Sequence, residues 1–315
     1  MFTRFSIPTP FRVGAVNAYL SGRTVVDPGP DSEEAWAALL DGFDEHGMTP
    51  NEVEQVVVTH PHPDHFGLAA RLQAEGATVI ASPEAARIMA DFPGELEHEQ
   101  TFFADFFERN GMSNATANAV VNLPESFLSY APSVETDHEV GGGDQIEING
   151  EPLVAHRVTG HAIGELIFEF TEGDERHAIV GDNVLNEITP NPLLQPPEPD
   201  EDERPRPLPA FNDSLRALKA EQYDRFLPGH RTTIENPSER IQEMLDAHDA
   251  RTKKVYGLVD GPTTAVEIMH ELFGDLPVTE FFPGMSEAVG HLDVLEARGK
   301  VRQHENGGVI VYERT

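Results

Sequence analysis

The spacing of apolar positions predicts an alternation of strands and helices over the first third of the chain. Residues 13–20 and 24–27 read as paired strands, and 31–46 carries an apolar face behind an acidic start, the mark of an amphipathic helix. The short apolar run 55–58 reads as a buried strand, 66–74 as a helix and 77–80 as another strand. Residues 84–130 break the alternation with several helices in a row. Phe102, Phe103, Phe106 and Phe107 share one face there, expected to pack in the core, with a lid over an apolar substrate as the alternative. Strands resume at 145–148, 153–158, 165–170 and 177–180. Residues 190–209 hold eight prolines and the acidic run 198–203, which predicts an irregular surface loop. A helix at 213–220 and a strand at 223–227 close a first domain, 1–235, with the helical insertion at 84–130. The remainder, 236–315, reads as helices at 238–258, 263–273 and 286–298, then a hairpin turning at Asn306-Gly307-Gly308.

Composition narrows the chemistry. The 315 residues contain no cysteine, which excludes a thiol nucleophile, disulfides and Cys-ligated zinc or iron-sulfur centres and leaves nitrogen and oxygen as metal donors. No run approaches the roughly 20 apolar residues of a membrane span, and the opening residues 1–8 lack the pattern of a secretory leader, so a cytoplasmic protein is expected. Acids outnumber bases 55 to 22, a net charge of −33, and only four of the bases are lysines. Such a chain repels itself in dilute buffer, whereas at molar salt the Debye length falls to about 3 Å. The acids are scattered through periodic apolar segments rather than gathered in a tail, so a folded protein of a salt-rich, halophilic cytosol is expected rather than a disordered one.

The stretch Thr59-His60-Pro61-His62-Pro63-Asp64-His65 follows a predicted buried strand. A proline after each of His60 and His62 biases both to extended backbone, and the two-residue period then points them the same way. Three imidazoles and a carboxylate in six residues would leave several buried polar groups unpaired unless they held a metal. His161, Asp182 and His230 each lie just past a predicted strand end beside a glycine that permits a sharp turn. Together with the first run they make seven donors. Gly141-Gly142-Gly143 lacks the lysine of a phosphate loop, and Gly-x-Ser-x-Gly does not occur.

With Asp27, the run His60 to His65, His161, Asp182 and His230 in order, the sequence resembles the metallo-β-lactamase superfamily over residues 10–235. The resemblance implies an αββα sandwich with a metal cleft on one edge. It implies one metal on His60, His62 and His161, a second on Asp64, His65 and His230, and Asp182 bridging. The cofactors implied are two divalent ions, zinc first, with iron or manganese as alternatives. Two such ions can turn a shared water into hydroxide near neutral pH, and Asp64 is the candidate catalytic residue, able to orient that water and accept its proton. Many members have two adjacent glycines after the histidine run, where this chain has Phe66-Gly67-Leu68, a departure that bears on subfamily.

The C-terminal segment resembles the winged helix of one branch of the superfamily, a branch that includes endoribonucleases. Residues 237–315 carry eight basic and fourteen acidic side chains, and the helix 286–298 that would read nucleic acid holds three acids and one arginine. Phosphate contacts need the opposite balance, so packing or homodimer formation is expected of this segment rather than nucleic-acid binding. The leading reading is a metal-dependent hydrolase of a small ester, thioester or related acyl substrate. The alternatives are a metal-dependent endoribonuclease, a mononuclear iron dioxygenase using His60, His161 and Asp182, and a non-catalytic regulator. Tyr130, Asn183 and Arg231 are candidate substrate contacts.

Overall fold

The computed structural model describes residues 2–198, 201 and 203–315; part of the acidic run 198–203 therefore lies outside the described residues. In chain order the strands are β1 (Thr3–Ile7), β2 (Val16–Ser21), β3 (Thr24–Val26), β4 (Gln55–Val57), β5 (Thr78–Ala81), β6 (His138–Glu139), β7 (Gln145–Ile148), β8 (Glu151–Arg157), β9 (Leu166–Glu172), β10 (Glu175–Gly181), β11 (Arg225–Pro228), β12 (Val301–Asn306) and β13 (Val309–Arg314). The helices are α1 (Glu33–Glu45), α2 (Pro63–Phe66), α3 (Ala69–Ala74), α4 (Pro83–Ala90), α5 (Phe92–Arg109), α6 (Asn114–Val121), α7 (Pro207–Glu221), α8 (Pro237–Leu258), α9 (Ala265–Phe273) and α10 (Phe281–Ala297). Among the described residues no helix is long and apolar enough to cross a membrane.

Two compact units make up the chain. The first comprises Met1–Pro93, Ser126–Pro190 and Ala217–Ile241, the second Gly94–Glu125, Asn191–Arg216 and Gln242–Thr315. The division is not one cut near residue 235, since much of the helical insertion and the 191–216 stretch group with the C-terminal residues.

In the first unit a six-stranded sheet runs β1-β2-β3-β4-β5-β6 and a five-stranded sheet β11-β10-β9-β8-β7. Strands β3 to β6 are mutually parallel. Register explains how short valine-rich strands build two layers. Val25, Val56 and Val79 pair across β3, β4 and β5, as do Val26, Val57 and Ile80 one position on. The side-chain period of two sends these triplets to opposite faces. The first triplet packs with Leu39 and Phe43 of α1, Leu72 of α3 and Met89 of α4. The second packs with Leu153, Ala155, Leu166, Phe168 and Ile179 of the other sheet. Helix starts follow their caps: the Ser32 hydroxyl accepts the Ala35 N–H, and that of Ser82 accepts the Ala85 N–H.

Several elements differ from expectation. The strand β1 pairs with β2 and buries Phe5 and Ile7 in alternation, a signal too short to be read next to the chain start. The expected helix 66–74 is two, α2 and α3, broken at Gly67, where a Cβ would collide with the Tyr130 carbonyl and the Asp31 N–H. Helix α7 opens at Pro207, inside the expected loop, with Pro207 and Pro209 in the first turn where a missing N–H costs nothing. Helix α10 starts five residues before the expected 286.

In the second unit Phe103 and Phe107 of α5 are buried and set edge-on to Phe282 at centroid distances of 5.0 and 5.6 Å, so the phenylalanine face is core. The C-terminal elements follow the expected order of three helices and a hairpin, whose turn uses Gly307 and Gly308 at φ 63 and 88. Thr264 and Glu267 form a capping box at the start of α9. Helix α10 is buried without interruption from Gly284 to Leu295.

Candidate metal centre

All seven expected donors come together at one edge of the first unit, each just past a strand end. The run 60–65 follows β4, His161 follows β8, Asp182 follows β10 and His230 follows β11. His60 Nε2 lies 3.1 Å from His62 Nδ1, which lies 3.2 Å from His161 Nε2. His230 Nε2 lies 3.3 Å from Asp64 Oδ2. Asp182 stands between these groups: Oδ1 is 3.7 Å from His65 Nε2, and Oδ2 is 3.7 Å from His161 Nε2 and 3.5 Å from His230 Nε2. Two donor sets result, His60/His62/His161 and Asp64/His65/His230, with a third, His60/His65/Asp182, linking them; the donor atoms of each set lie within 4.8 Å of one another.

The imidazoles are aimed by a layer behind them. Asp27, held at φ 51, accepts the Thr59 N–H at 2.8 Å, the Thr59 hydroxyl at 2.7 Å and His65 Nδ1–H at 2.9 Å. Because the Thr59 hydroxyl proton goes to Asp27, its oxygen accepts His60 Nδ1–H at 2.9 Å. His230 Nδ1–H donates to the Ala15 carbonyl at 2.9 Å. Each bond places the proton on Nδ1 and leaves the Nε2 lone pair facing inward. Gly229 lets β11 pass this close, since a Cβ there would fall 2.5 Å from Asp182 Oδ1 and 2.7 Å from His65 Cε1.

The donors fit divalent cations. His65 Nε2, His230 Nε2 and Asp182 Oδ1 are buried with no hydrogen-bond partner, a state that native proteins avoid unless a ligand supplies the partner. His60 Nε2 and His161 Nε2 both converge on His62 Nδ1, at 3.1 and 3.2 Å. Nitrogens around one tetrahedral zinc, about 2.05 Å from it, stand roughly 3.3 Å apart.

Electrostatics divide the cluster. Burial, then the neighbouring imidazoles, drive His60 well below its ordinary pKa and His62 down to about 3. Burial also opposes charge on His65, but the carboxylates of Asp182, Asp27 and Asp64 outweigh it and raise that imidazole well above its usual value. His230 is raised likewise, by the carboxylates of Asp182 and Asp64 against burial. Asp64 and Asp182 are buried, which favours their neutral forms, yet His65 and His230 hold both below the usual carboxylate range. Burial pushes the neighbouring Glu165 up to about 8.

Of the candidate substrate contacts, Asn183 is fully buried and donates to Glu165 Oε2 at 3.0 Å, so it is part of the interior rather than of an open surface. Arg231 sits at φ 69 with its carbonyl bound by Asn17 Nδ2. Tyr130 uses its carbonyl to accept the Asp31 N–H. The Thr59 relay, the Ala15 carbonyl and Glu165 were not expected. The hydroxyl at the head of the histidine run and a charge at the first position of a predicted strand were their only signals.

The sequence model of the Metallo-beta-lactamase superfamily matches residues 11–230. The chain is 29% identical to the Probable metallo-hydrolase YqjP of Bacillus subtilis (strain 168) over 313 residues, 98% of this chain and 96% of that one. Among solved structures, a metallo-beta-lactamase family protein of Thermus thermophilus superposes with a TM-score of 0.81 at 25% identity, covering 100% of this chain and 98% of that one. A beta-lactamase domain protein of Burkholderia ambifaria gives 0.82 at 26% identity, covering 100% and 92%.

Proposed function

The chain belongs to the metallo-beta-lactamase superfamily, and from that premise we propose a metal-dependent hydrolase of a small ester, thioester or related acyl compound, holding two divalent cations with zinc preferred. The observation that carries the reading is Asp182, whose two oxygens face His65 on one side and His161 and His230 on the other at 3.5 to 3.7 Å. His60, His62 and His161 would hold one cation and Asp64, His65 and His230 the other, with Asp182 shared. Bound cations supply water activation near neutral pH and polarisation of the carbonyl under attack. Asp64, held below the usual carboxylate range, is an ionised acceptor that orients the attacking water and takes its proton. Asp27 and Thr59 keep His65 and His60 in the tautomer that presents Nε2.

The C-terminal helices and hairpin are read as a winged-helix segment that packs or forms a homodimer. Its would-be reading helix, α10, is buried from Gly284 to Leu295, and eight bases face fourteen acids over 237–315, which favours a small-molecule substrate over nucleic acid. Elemental analysis followed by thioester, lactone and single-stranded RNA cleavage assays in molar KCl tests the reading. The expected result is two zinc ions per chain, with acyl hydrolysis lost to a chelator. One iron with oxygen consumption would replace it with a dioxygenase, and RNA cleavage lost in Asp182→Ala with a ribonuclease.

A further inference from the structure

The loop that carries His161 is bounded by Gly160 at φ 130 and Gly164 at φ 69, two positions that give the backbone freedom and little intrinsic rigidity. Its placement against Asp182 therefore needs an external tie. Glu165, next to that loop, and Asn183, next to Asp182, are both fully buried and joined by the 3.0 Å bond from Asn183 Nδ2 to Glu165 Oε2. The adjoining backbone reaches the third donor segment, since Leu166 N–H donates to the carbonyl of Thr59, the residue before His60, at 2.9 Å. One buried carboxyl thus stands where the 59–65, 161 and 182 segments meet. Packing alone would favour an apolar side chain at so fully buried a position. Glu165 Oε1 and Asn183 Oδ1 are also left without partners, a cost that stability alone does not explain.

We propose that Glu165, through its bond to Asn183, is a positioning residue that locks the His161 and Asp182 segments together and so sets the spacing of the two cation sites. This rests on the metal-centre reading and adds to it the residue that holds the centre in register. Glu165 acts as a hydrogen-bond acceptor, and its role is geometric.

The test uses the full-length protein loaded with cobalt(II), with visible absorption reporting ligand geometry and chelator competition reporting affinity. Glu165→Ala is expected to weaken at least one site by about 10- to 100-fold, the range found when partners of metal ligands are removed, and to change the cobalt spectrum. Glu165→Gln, whose amide oxygen still accepts the Asn183 N–H, is expected to stay within roughly threefold of the parent, a rescue consistent with geometry. Asn183→Ala should weaken binding in the same way, and the double alanine variant should be no worse than the weaker single one. Should Glu165→Ala fail to fold by circular dichroism, Asn183→Ala decides the matter alone. Alanine variants that bind and absorb like the parent overturn the proposal, and so does a Gln variant as impaired as the Ala one, which would assign the role to charge. A parent protein that takes up no cobalt overturns the metal centre itself, and that failure is visible before any variant is made.

Discussion

Replacing Thr59 by valine keeps the shape of a fully buried side chain and removes one oxygen. That oxygen donates to Asp27 Oδ2 at 2.7 Å and accepts His60 Nδ1–H at 2.9 Å. Asp27 retains the Thr59 N–H and His65, so its loss is one bond, about 1 kcal/mol. His60 is left with a buried, unsatisfied donor, about 1–3 kcal/mol. Unfolding in urea with EDTA present should therefore show a loss of about 2–4 kcal/mol. The imidazole is also free to move its proton to Nε2, the atom needed for the cation, so zinc affinity measured against a chromophoric chelator should fall about 10- to 100-fold. Thr59→Ser, which keeps the oxygen, should restore most of both. A valine variant that loses less than about 0.5 kcal/mol and binds zinc as tightly as the parent would refute the relay.

Further outcomes follow from the same structure. His60→Ala should abolish acyl hydrolysis and reduce bound metal while leaving the far-ultraviolet circular dichroism unchanged; retained turnover would count against the assigned donor set. Glu99 is pushed up to about 8 from an ordinary 4.5 by burial and then by the Glu95 carboxylate, so between those values the folded state holds a proton that the unfolded state has released, and stability falls as pH rises. Glu99→Gln should accordingly raise the thermal midpoint, with a gain that grows from pH 5 to pH 8; a gain independent of pH would sink this assignment. With a net charge of −33, the thermal midpoint should climb steeply between dilute and molar KCl, and a flat response would remove the halophilic reading.

The convergence of the seven candidate donors was legible because its signals are local: prolines after His60 and His62, and glycines beside His161, Asp182 and His230 at strand ends. What aims those donors was not legible, because hydrogen bonds such as Thr59 to Asp27 and His230 to Ala15 join residues 32 and 215 positions apart. The valine-rich strands were readable as buried, whereas β1 depends on pairing with β2 that two apolar residues cannot announce. Helical periodicity in the insertion predicted the helices and a buried phenylalanine face, and it carries no information on their partners, which is why the grouping of 94–125 with C-terminal residues was not read. The break at Gly67 belongs to the same class, being imposed by backbone from Asp31 and Tyr130.

The bond from His230 to the Ala15 carbonyl also bears on biosynthesis. A polypeptide leaving the ribosome exposes the run 60–65 early, but Asp64 and His65 lack their third companion until residue 230 has emerged and found the opening segment of the same chain. A cation on that side would therefore be gripped only after β11, the last strand of the first unit, has been made, whereas the His60, His62 and His161 side can assemble sooner.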